Sequence, residues 1–313
     1  MRKINIDELI TKFAGKDRRA FAKAISIVED NEQDKDKLLD YAYEQAAGCE
    51  SLIIGVTGAG GAGKSTLIDK LICEYRKMGK NVGVIAVDPS SPYTGGAVLG
   101  DRIRMSSHNC DDGVYIRSLG SRGAWGGISD AAKDVLYLYK VFGFDVIILE
   151  SLGVGQAETE ITNFVDVTVV VLAPGFGDAI QMAKAGVQEI ADVFVINKAD
   201  KPEAENLYMH LISTFDTLPV NEQPLVVKTV ASEGKGMDTF VAAVAQAAEK
   251  QIPKREQKRV TRIEHEILSD MHKTIAPGLL KLAKKLAGKV LAKEISLMRI
   301  GENLKDKIRI DGS

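Results

Sequence analysis

Short apolar runs alternate with longer amphipathic segments along most of this chain. Apolar strands separated by helical segments are typical of a parallel sheet that helices cover on both faces. We therefore predict an α/β fold with a mostly parallel sheet. The six predicted strands, rich in β-branched residues, are Leu52–Thr57, Val82–Val87, Asp145–Leu149, Val167–Ala173, Val193–Asn197 and Leu225–Val230.

Both ends of the chain have helical spacing without a strand pattern. Apolar positions recur at helical intervals over residues 18–48, with a charged break at Asp30–Asp36. After Pro253 two helices are predicted, and the second, Leu279–Met298, has a lysine-rich face. Packing of that helix on the body or on a twin subunit is favoured over a membrane surface. We predict a helical extension (1–50), a central α/β domain (51–250) and a helical C-terminal arm (251–313) that forms a dimer.

Charge and composition narrow the class of protein. The 313 residues hold 41 Lys and Arg against 43 Asp and Glu, which argues against a nucleic-acid-binding protein. Residues 251–313 are basic, with 15 cationic and 8 acidic side chains. Cys49, Cys73 and Cys110 are widely spaced, which favours neither a disulfide framework nor a structural zinc site. With no apolar run of 18 residues and an early charged start, a cytoplasmic protein without a membrane span is expected.

A phosphate-binding motif follows the first predicted strand. Residues 58–65, GAGGAGKS, satisfy GxxxxGK[ST] and open an amphipathic helix. Glycines let backbone N–H groups surround a phosphate, and the helix N-terminus adds partial positive charge. Lys64 is expected to reach the β- and γ-phosphates, and Ser65 is expected to bind Mg²⁺. The motif therefore predicts a P-loop NTPase fold. The predicted phosphate-binding residues here are Gly60, Gly61, Ala62, Gly63, Lys64, Ser65 and Thr66.

A second motif selects the base of the nucleotide. Asn197-Lys198-Ala199-Asp200 matches N-K-x-D at the end of a predicted strand. Guanine presents two N–H donors on one edge, which the Asp200 carboxylate can accept, whereas adenine presents an acceptor there. At about 1.5–3 kcal/mol per charge-assisted bond, this pair favours GTP over ATP by tens to hundreds of fold. Lys198 is expected to lie along the base, and the segment containing Ser232 and Glu233 to offer a backbone N–H to guanine O6.

Acidic residues at strand ends suggest a magnesium site. Asp88 ends the second predicted strand, Glu150 follows the third, and Asp101 closes the loop after Asp88. The segment from Glu150 to Gly153 is a variant of the D-x-x-G switch, in which Gly153 would donate to the γ-phosphate. Gln156 could orient the attacking water or be a surface glutamine. The predicted metal ligands are Ser65, Asp88, Asp101 and Glu150, and the predicted catalytic residues are Lys64, Asp88, Asp101, Glu150 and Gln156. Glycine- and serine-rich stretches at 88–101 and 118–128 are candidate ligand loops.

Over roughly residues 18–250 the sequence resembles the P-loop GTPases of the MeaB and ArgK type. The resemblance rests on V-D-P-S-S-P at 87–92, the glycine pairs 95–96 and 126–127, L-G-D-R at 99–102, and G-V-G-Q at 153–156. It implies a homodimeric GTPase chaperone that uses GTP, GDP and Mg²⁺ to gate cofactor loading and repair of an adenosylcobalamin-dependent acyl-CoA mutase. It also implies a partner-sensing loop from Pro174 to Lys184, which includes Gly175, Gly177 and Asp178.

Two other functions are compatible with the fold that the sequence predicts. A metallochaperone GTPase would fit the fold, but the four histidines form no run and the cysteines do not cluster. An ATPase or kinase of an amino-acid (LAO/AO) transport system is the other alternative, and Asp200 opposes it because adenine offers that carboxylate an acceptor. The sequence leaves open which acyl-CoA mutase is the partner.

Overall fold

A computed structural model provides the fold. It describes residues 5–46, 48–88, 108, 110–120, 130–151, 161–175, 190–220, 222–254 and 260. The chain divides into two compact units, Met1–Arg255 and Glu256–Ser313. Of the second unit only Val260 is described, so the predicted helix Leu279–Met298 lies outside the described residues. None of the helices in the described ranges has the length and apolar character to cross a membrane.

Within the described residues, seven parallel strands form one sheet in the order β3-β2-β4-β1-β5-β6-β7. Six of them are the predicted strands, with ends shifted by two residues at most. This confirms the predicted α/β fold. The strands are β1 (Leu52–Gly58), β2 (Val82–Asp88), β3 (Val114–Gly120), β4 (Val146–Glu150), β5 (Val167–Leu172), β6 (Val193–Ile196) and β7 (Leu225–Lys228).

The edge strand β3 was not predicted from the sequence. Its residues Val114–Gly120 include Arg117, a charged residue in what would otherwise be a β-rich run. In the structure Arg117 Nη2 donates to Glu29 Oε2 at 2.6 Å, so the charge on the strand is met by a carboxylate on a helix. The predicted loop 118–128 is therefore wrong over Ser118–Gly120, which pair with β2. Residues 121–128 lie outside the described part of the chain.

Helices cover both faces of the sheet. One face packs on α4 and α7, the other on α1–α3 and α5 at the β3 side and on α6 at the β7 side. Because both faces are covered, β4 and β5 are buried along their whole length. The described helices are α1 (Ile6–Ala14), α2 (Arg18–Glu29), α3 (Lys35–Ala46), α4 (Lys64–Lys77), α5 (Asp130–Phe142), α6 (Glu203–Phe215) and α7 (Met237–Gln251).

The N-terminal helices share an apolar core with the sheet. Helices α2 and α3 match the predicted helical segment and its charged break, whereas α1 lies before the predicted range. The Asn5 side chain caps α1 by accepting from the amides of Asp7 and Glu8. Phe13 of α1 is fully buried, and its ring stacks 6.0 Å from that of Phe21 on α2. The predicted boundaries at residues 50 and 251 stay predictions.

Candidate functional site

The loop between β1 and α4 needs glycine at specific positions. Gly58 has φ +140°, and a Cβ there would lie 2.1 Å from the Val171 carbonyl oxygen on β5. Gly63 has φ +95° at the N-cap of α4, and its Cβ would lie 2.4 Å from Asn197 Nδ2. A side chain at either position would meet both backbone strain and a clash. The glycines therefore allow the loop to turn tightly and present backbone N–H groups at the start of α4.

Lys64 and Ser65 are the first residues of α4. Lys64 Nζ donates to the carbonyl oxygens of Gly58 (2.7 Å) and Ala59 (3.3 Å), so its ammonium group spans the loop. Ser65 is buried, and its hydroxyl donates to Glu150 Oε1 at 3.1 Å. The structure thus brings together two predicted metal ligands that are separated by 85 residues.

Glu150 lies at the carboxyl end of β4, between β2 and β1. It pairs with Val56 of β1 and with Ala86 of β2. Because Asp88 is two residues beyond Ala86, its backbone lies at the same edge of the sheet. Glu150 is 4% exposed, and the next residue, Ser151, donates its hydroxyl to Thr57 Oγ1 at 2.8 Å. Carboxylate and hydroxyl oxygens are ligands that Mg²⁺ prefers, so the donor set at this edge fits that ion.

Asn197 links the N-K-x-D segment to the phosphate-binding loop. Its Nδ2 donates to the Ala62 carbonyl at 3.0 Å. Its Oδ1 accepts from Thr229 Oγ1 (3.2 Å) and from the amide of Ala231 (3.1 Å). The side chain is 3% exposed, and the hydrogen bonds hold three loops together. The sequence motif predicted contact with guanine, and this bracing role was missed because nothing in the local sequence around Thr229 or Ala62 indicates it.

Lys198 and Asp200 occupy the turn that follows β6. Lys198 has φ +56°, and its Nζ donates to the Gly61 carbonyl at 2.8 Å. Lys198 therefore combines a left-handed backbone conformation, which non-glycine residues rarely adopt, with a side chain that reaches the phosphate-binding loop. Asp200 is exposed on the same turn, which leaves its carboxylate accessible to a ligand.

The short 3₁₀ turn Ala231–Glu233 completes this end of the site. The Glu233 amide donates to the Val230 carbonyl, and the Ala231 amide is used by Asn197. Ser232 between them is exposed. Glu233 Oε2 lies 2.6 Å from Lys235 Nζ. This contact raises the pKa of Lys235, with a smaller contribution from the Asp200 charge.

Several predicted site residues lie outside the described part of the chain. Of the predicted partner-sensing loop, Pro174 is buried two residues after the end of β5, and Gly175 is exposed with φ +86°. Outside the described residues lie Asp101, Gly153, Gln156, Gly177, Asp178 and Lys184. The structure therefore brings together both motifs and one strand-end acid, while the switch residues stay predictions.

A group of potential metal ligands was not predicted from the sequence. Asp69, Cys73 and His108 present ligand atoms that all lie within 4.8 Å of one another. The i, i+4 spacing of Asp69 and Cys73 was the available signal, because it places both on one face of a helix. His108 is 35 residues further along the chain, and only the fold brings it to that face.

Comparison with known proteins identifies a family of GTPases. Residues 21–280 match the family model of the methylmalonyl-CoA mutase-associated GTPase MeaB. A Pyrococcus horikoshii protein, which is named provisionally as a GTPase, is 44% identical to this chain over 288 residues. The match covers 90% of this chain and 88% of that protein. The fused isobutyryl-CoA mutase of Cupriavidus metallidurans is 39% identical over 203 residues, which are 64% of this chain and 18% of that protein.

A solved structure has the same fold as this chain. A crystal structure of a LAO/AO transport system kinase superposes with a TM-score of 0.72 and 25% identity, covering 98% of this chain and 99% of that one. This match confirms the P-loop NTPase fold. Because the family model covers well over half of the sequence, the chain belongs to the MeaB family of methylmalonyl-CoA mutase-associated GTPases.

Proposed function

We propose that this chain binds and hydrolyses GTP and uses the nucleotide cycle as a chaperone of an adenosylcobalamin-dependent acyl-CoA mutase. The observation that carries the nucleotide part is the contact of the N-K-x-D segment with the phosphate-binding loop. Asn197 reaches the Ala62 carbonyl and Lys198 reaches that of Gly61. One nucleotide can therefore span both motifs, with its phosphates at the loop and its base at Asp200.

The phosphate end supplies charge stabilisation for hydrolysis. In hydrolysis, water attacks the γ-phosphorus, and the bond between the γ-phosphorus and the β–γ bridging oxygen breaks. GDP and phosphate are the products. Lys64 would exchange its contacts with Gly58 and Ala59 for phosphate oxygens, where its positive charge stabilises the charge that develops. Backbone N–H groups at the start of α4 would bind the phosphates from the other side.

The same end fits a magnesium ion. The buried Ser65 hydroxyl and Glu150 carboxylate would hold it, together with Asp88 and Asp101 as predicted from the sequence. A bound Mg²⁺ neutralises charge on the β- and γ-phosphates. Gly153 and Gln156 are the proposed contacts of the γ-phosphate and of the attacking water.

The base end supplies selectivity for guanine. The exposed Asp200 carboxylate would accept from N1–H and N2–H₂ of guanine, and the Lys198 stem would lie along the base. Because Asn197 already uses the amide of Ala231 and Val230 accepts from that of Glu233, Ser232 is the member of the turn proposed to donate to guanine O6. Asn197 would then act as a positioning residue that keeps the base loop against the phosphate loop.

The mutase partner is supported by the family and by a fused relative. In the Cupriavidus metallidurans protein a region similar to this chain is part of one polypeptide named as an isobutyryl-CoA mutase. Fusion of two activities keeps them at high effective concentration, which suits proteins that work together. We propose that the separate chain acts in the cytoplasm as a homodimer. The loop from Pro174 to Lys184 would sense the mutase.

The nucleotide part is tested by calorimetry of the full chain with GTP and ATP in Mg²⁺. We expect GTP to bind at least tens of fold more tightly, since Asp200 would oppose the adenine N1 acceptor. Equal affinity for ATP would instead favour a kinase, the activity for which the superposed LAO/AO transport system protein is named.

The chaperone part needs a separate measurement. GTP turnover is compared with and without the adenosylcobalamin-dependent mutases of the same organism, with an unrelated acyl-CoA enzyme as control. We expect one mutase to change the turnover rate, because ordering of switch loops by a partner is a general way to activate GTPases. No change with any of these mutases would remove the chaperone proposal and leave GTP binding untouched.

A further inference from the structure

Three side chains of different chemistry meet beside α4, outside the phosphate-binding loop itself. Asp69 and Cys73 lie one turn apart on this helix, and His108 lies on the segment before β3. His108 Nε2 is 2.9 Å from Asp69 Oδ1, and the Cys73 sulfur completes a set of atoms within 4.8 Å of one another. His108 is 8% exposed, whereas the other two are half-buried.

The fold holds His108 in place from the same helix. Arg76 of α4 donates from Nε and Nη2 to the two carboxylate oxygens of Asp111, both at 2.9 Å. The amide of Asp111 donates in turn to the His108 carbonyl at 3.1 Å. A bidentate Arg–carboxylate pair has a defined geometry, so it anchors this segment to α4. The three ligand atoms are therefore positioned by structure that does not depend on a ligand.

We propose that Asp69, Cys73 and His108 form a binding site for one divalent transition metal ion, with Zn²⁺ as the best match. A thiolate, an imidazole and a carboxylate are the side chains that bind zinc, and three of them with an open position is a common arrangement. From the usual bond lengths, the ligand atoms of a tetrahedral zinc site lie about 3.3–3.6 Å apart. The observed spacing of 2.9 Å at one pair and at most 4.8 Å overall brackets that range.

Charge and exposure also suit a bound cation. A carboxylate and a thiolate together balance the two positive charges of the ion. Lys70 Nζ lies 3.5 Å from Asp69 Oδ2, whereas His108 Nε2 contacts Oδ1, so a metal at Oδ1 need not displace Lys70. Because Asp69 and Cys73 are half-buried, water or an external ligand can take the fourth position.

The site would connect two parts of the chain. Asp69 is one helical turn after Ser65. A metal bound to Asp69 would therefore lie on the same helix whose N-terminus forms part of the phosphate-binding site. His108 follows Asp101 by seven residues in the sequence. A bound ion would cross-link α4 to the segment before β3 that holds His108. This inference stands whether or not the proposed GTPase chaperone function is correct.

The test is titration of the chelator-treated full chain with ZnCl₂ by calorimetry, in excess Mg²⁺ so that sites with only oxygen ligands are filled. We expect one Zn²⁺ per chain. The variants Cys73→Ser and His108→Asn should each bind Zn²⁺ at least about tenfold more weakly. Loss of an outer-shell partner already costs about that much, and these residues would be direct ligands. The matched controls are Cys110→Ser and His210→Asn, which should bind Zn²⁺ as the parent does.

A spectroscopic measurement distinguishes ligation by Cys73 from a folding defect. Co²⁺ bound to a thiolate gives a sulfur-to-metal charge-transfer band in the near ultraviolet, which we expect for the parent and for Cys110→Ser and not for Cys73→Ser. Thermal unfolding without metal shows whether each variant folds. Absence of Zn²⁺ binding, or Zn²⁺ binding that Cys73→Ser and His108→Asn leave unchanged, would overturn the proposal. Asp69 and His108 would then form a simple hydrogen bond next to the Cys73 thiol.

Discussion

The Asn197 side-chain amide donates to the Ala62 carbonyl across 135 residues of sequence, at 3.0 Å. This bond joins the loop that would recognise the base to the loop that would bind the phosphates. Because the other end of the Asn197 amide accepts two further bonds, this buried side chain helps to set the distance between the two halves of the site.

Substitution of Asn197 should affect both stability and binding. In Asn197→Ala the Ala62 carbonyl and the Ala231 amide lose their partner, which should cost about 1–3 kcal/mol of unfolding free energy. Chemical denaturation measures this cost, and GTP affinity should fall as the two loops separate. Thr229→Val removes only one of the three bonds and serves as the milder comparison. Equal effects of the two variants would contradict a bracing role for Asn197.

Substitution of Asp200 should change which base is bound. Asp200→Asn replaces an acceptor by a group that can donate, so GTP should bind tens to hundreds of fold more weakly and xanthosine triphosphate should bind better. Competition binding with the two nucleotides measures the change. Glu203→Gln, an exposed carboxyl-to-amide change at the start of α6, is the control and should leave selectivity unaltered. Unchanged selectivity in Asp200→Asn would show that this turn does not recognise the base.

Removal of the Lys64 ammonium group should abolish turnover without unfolding the chain. We expect GTP hydrolysis by Lys64→Ala to fall by about 10²-fold or more, the usual cost of losing a group that stabilises the transition state. Circular dichroism should match the parent. The control is Lys77→Ala on the same helix, where the side chain is exposed and pairs with Glu74 on the surface. A phosphate-release assay measures both variants.

Two glycines of the phosphate-binding loop should differ in their tolerance of alanine. Gly63→Ala introduces a Cβ 2.4 Å from Asn197 Nδ2 at φ +95°, and the backbone strain alone should cost about 1–2 kcal/mol. At Gly60 an added Cβ has no neighbour within 4 Å among the described residues, so Gly60→Ala should melt close to the parent temperature. Thermal unfolding without nucleotide compares them. Similar melting temperatures would mean that the loop adjusts without cost.

The ion pair between β3 and α2 should be worth more than a surface pair. Arg117 and Glu29 are 22% and 11% exposed, so Glu29→Gln leaves a largely desolvated cation on the edge strand. Breaking a buried pair costs about 3–5 kcal/mol, and we expect the lower end of this range because some exposure remains. Glu32→Gln, which breaks an exposed pair with Lys23, should cost below about 1 kcal/mol. Urea denaturation of both variants makes the comparison.

Local patterns were sufficient for much of the fold and for the two nucleotide motifs. The predictions include six of the seven strands in the described ranges, together with α2, α3 and the start of α4, because strand and helix periodicity depend on neighbouring residues. Lys64, Ser65, Asn197 and Asp200 were likewise found by short motifs. β3 was missed because its Arg117 is compensated by Glu29, 88 residues away, which local reasoning cannot detect.

The sequence alone determined most of the segments that form strands and helices, and it determined which residue types could bind a guanine nucleotide, since both depend on residues a few positions apart. Tertiary structure decided which of those segments are neighbours. It placed β4 between β2 and β1, which brings Glu150 to Ser65, and it closed Asn197 onto Ala62. It also assembled Asp69, Cys73 and His108. The physical reason is that burial of the apolar faces of the sheet and helices sets these long-range contacts, and that burial involves the whole chain at once.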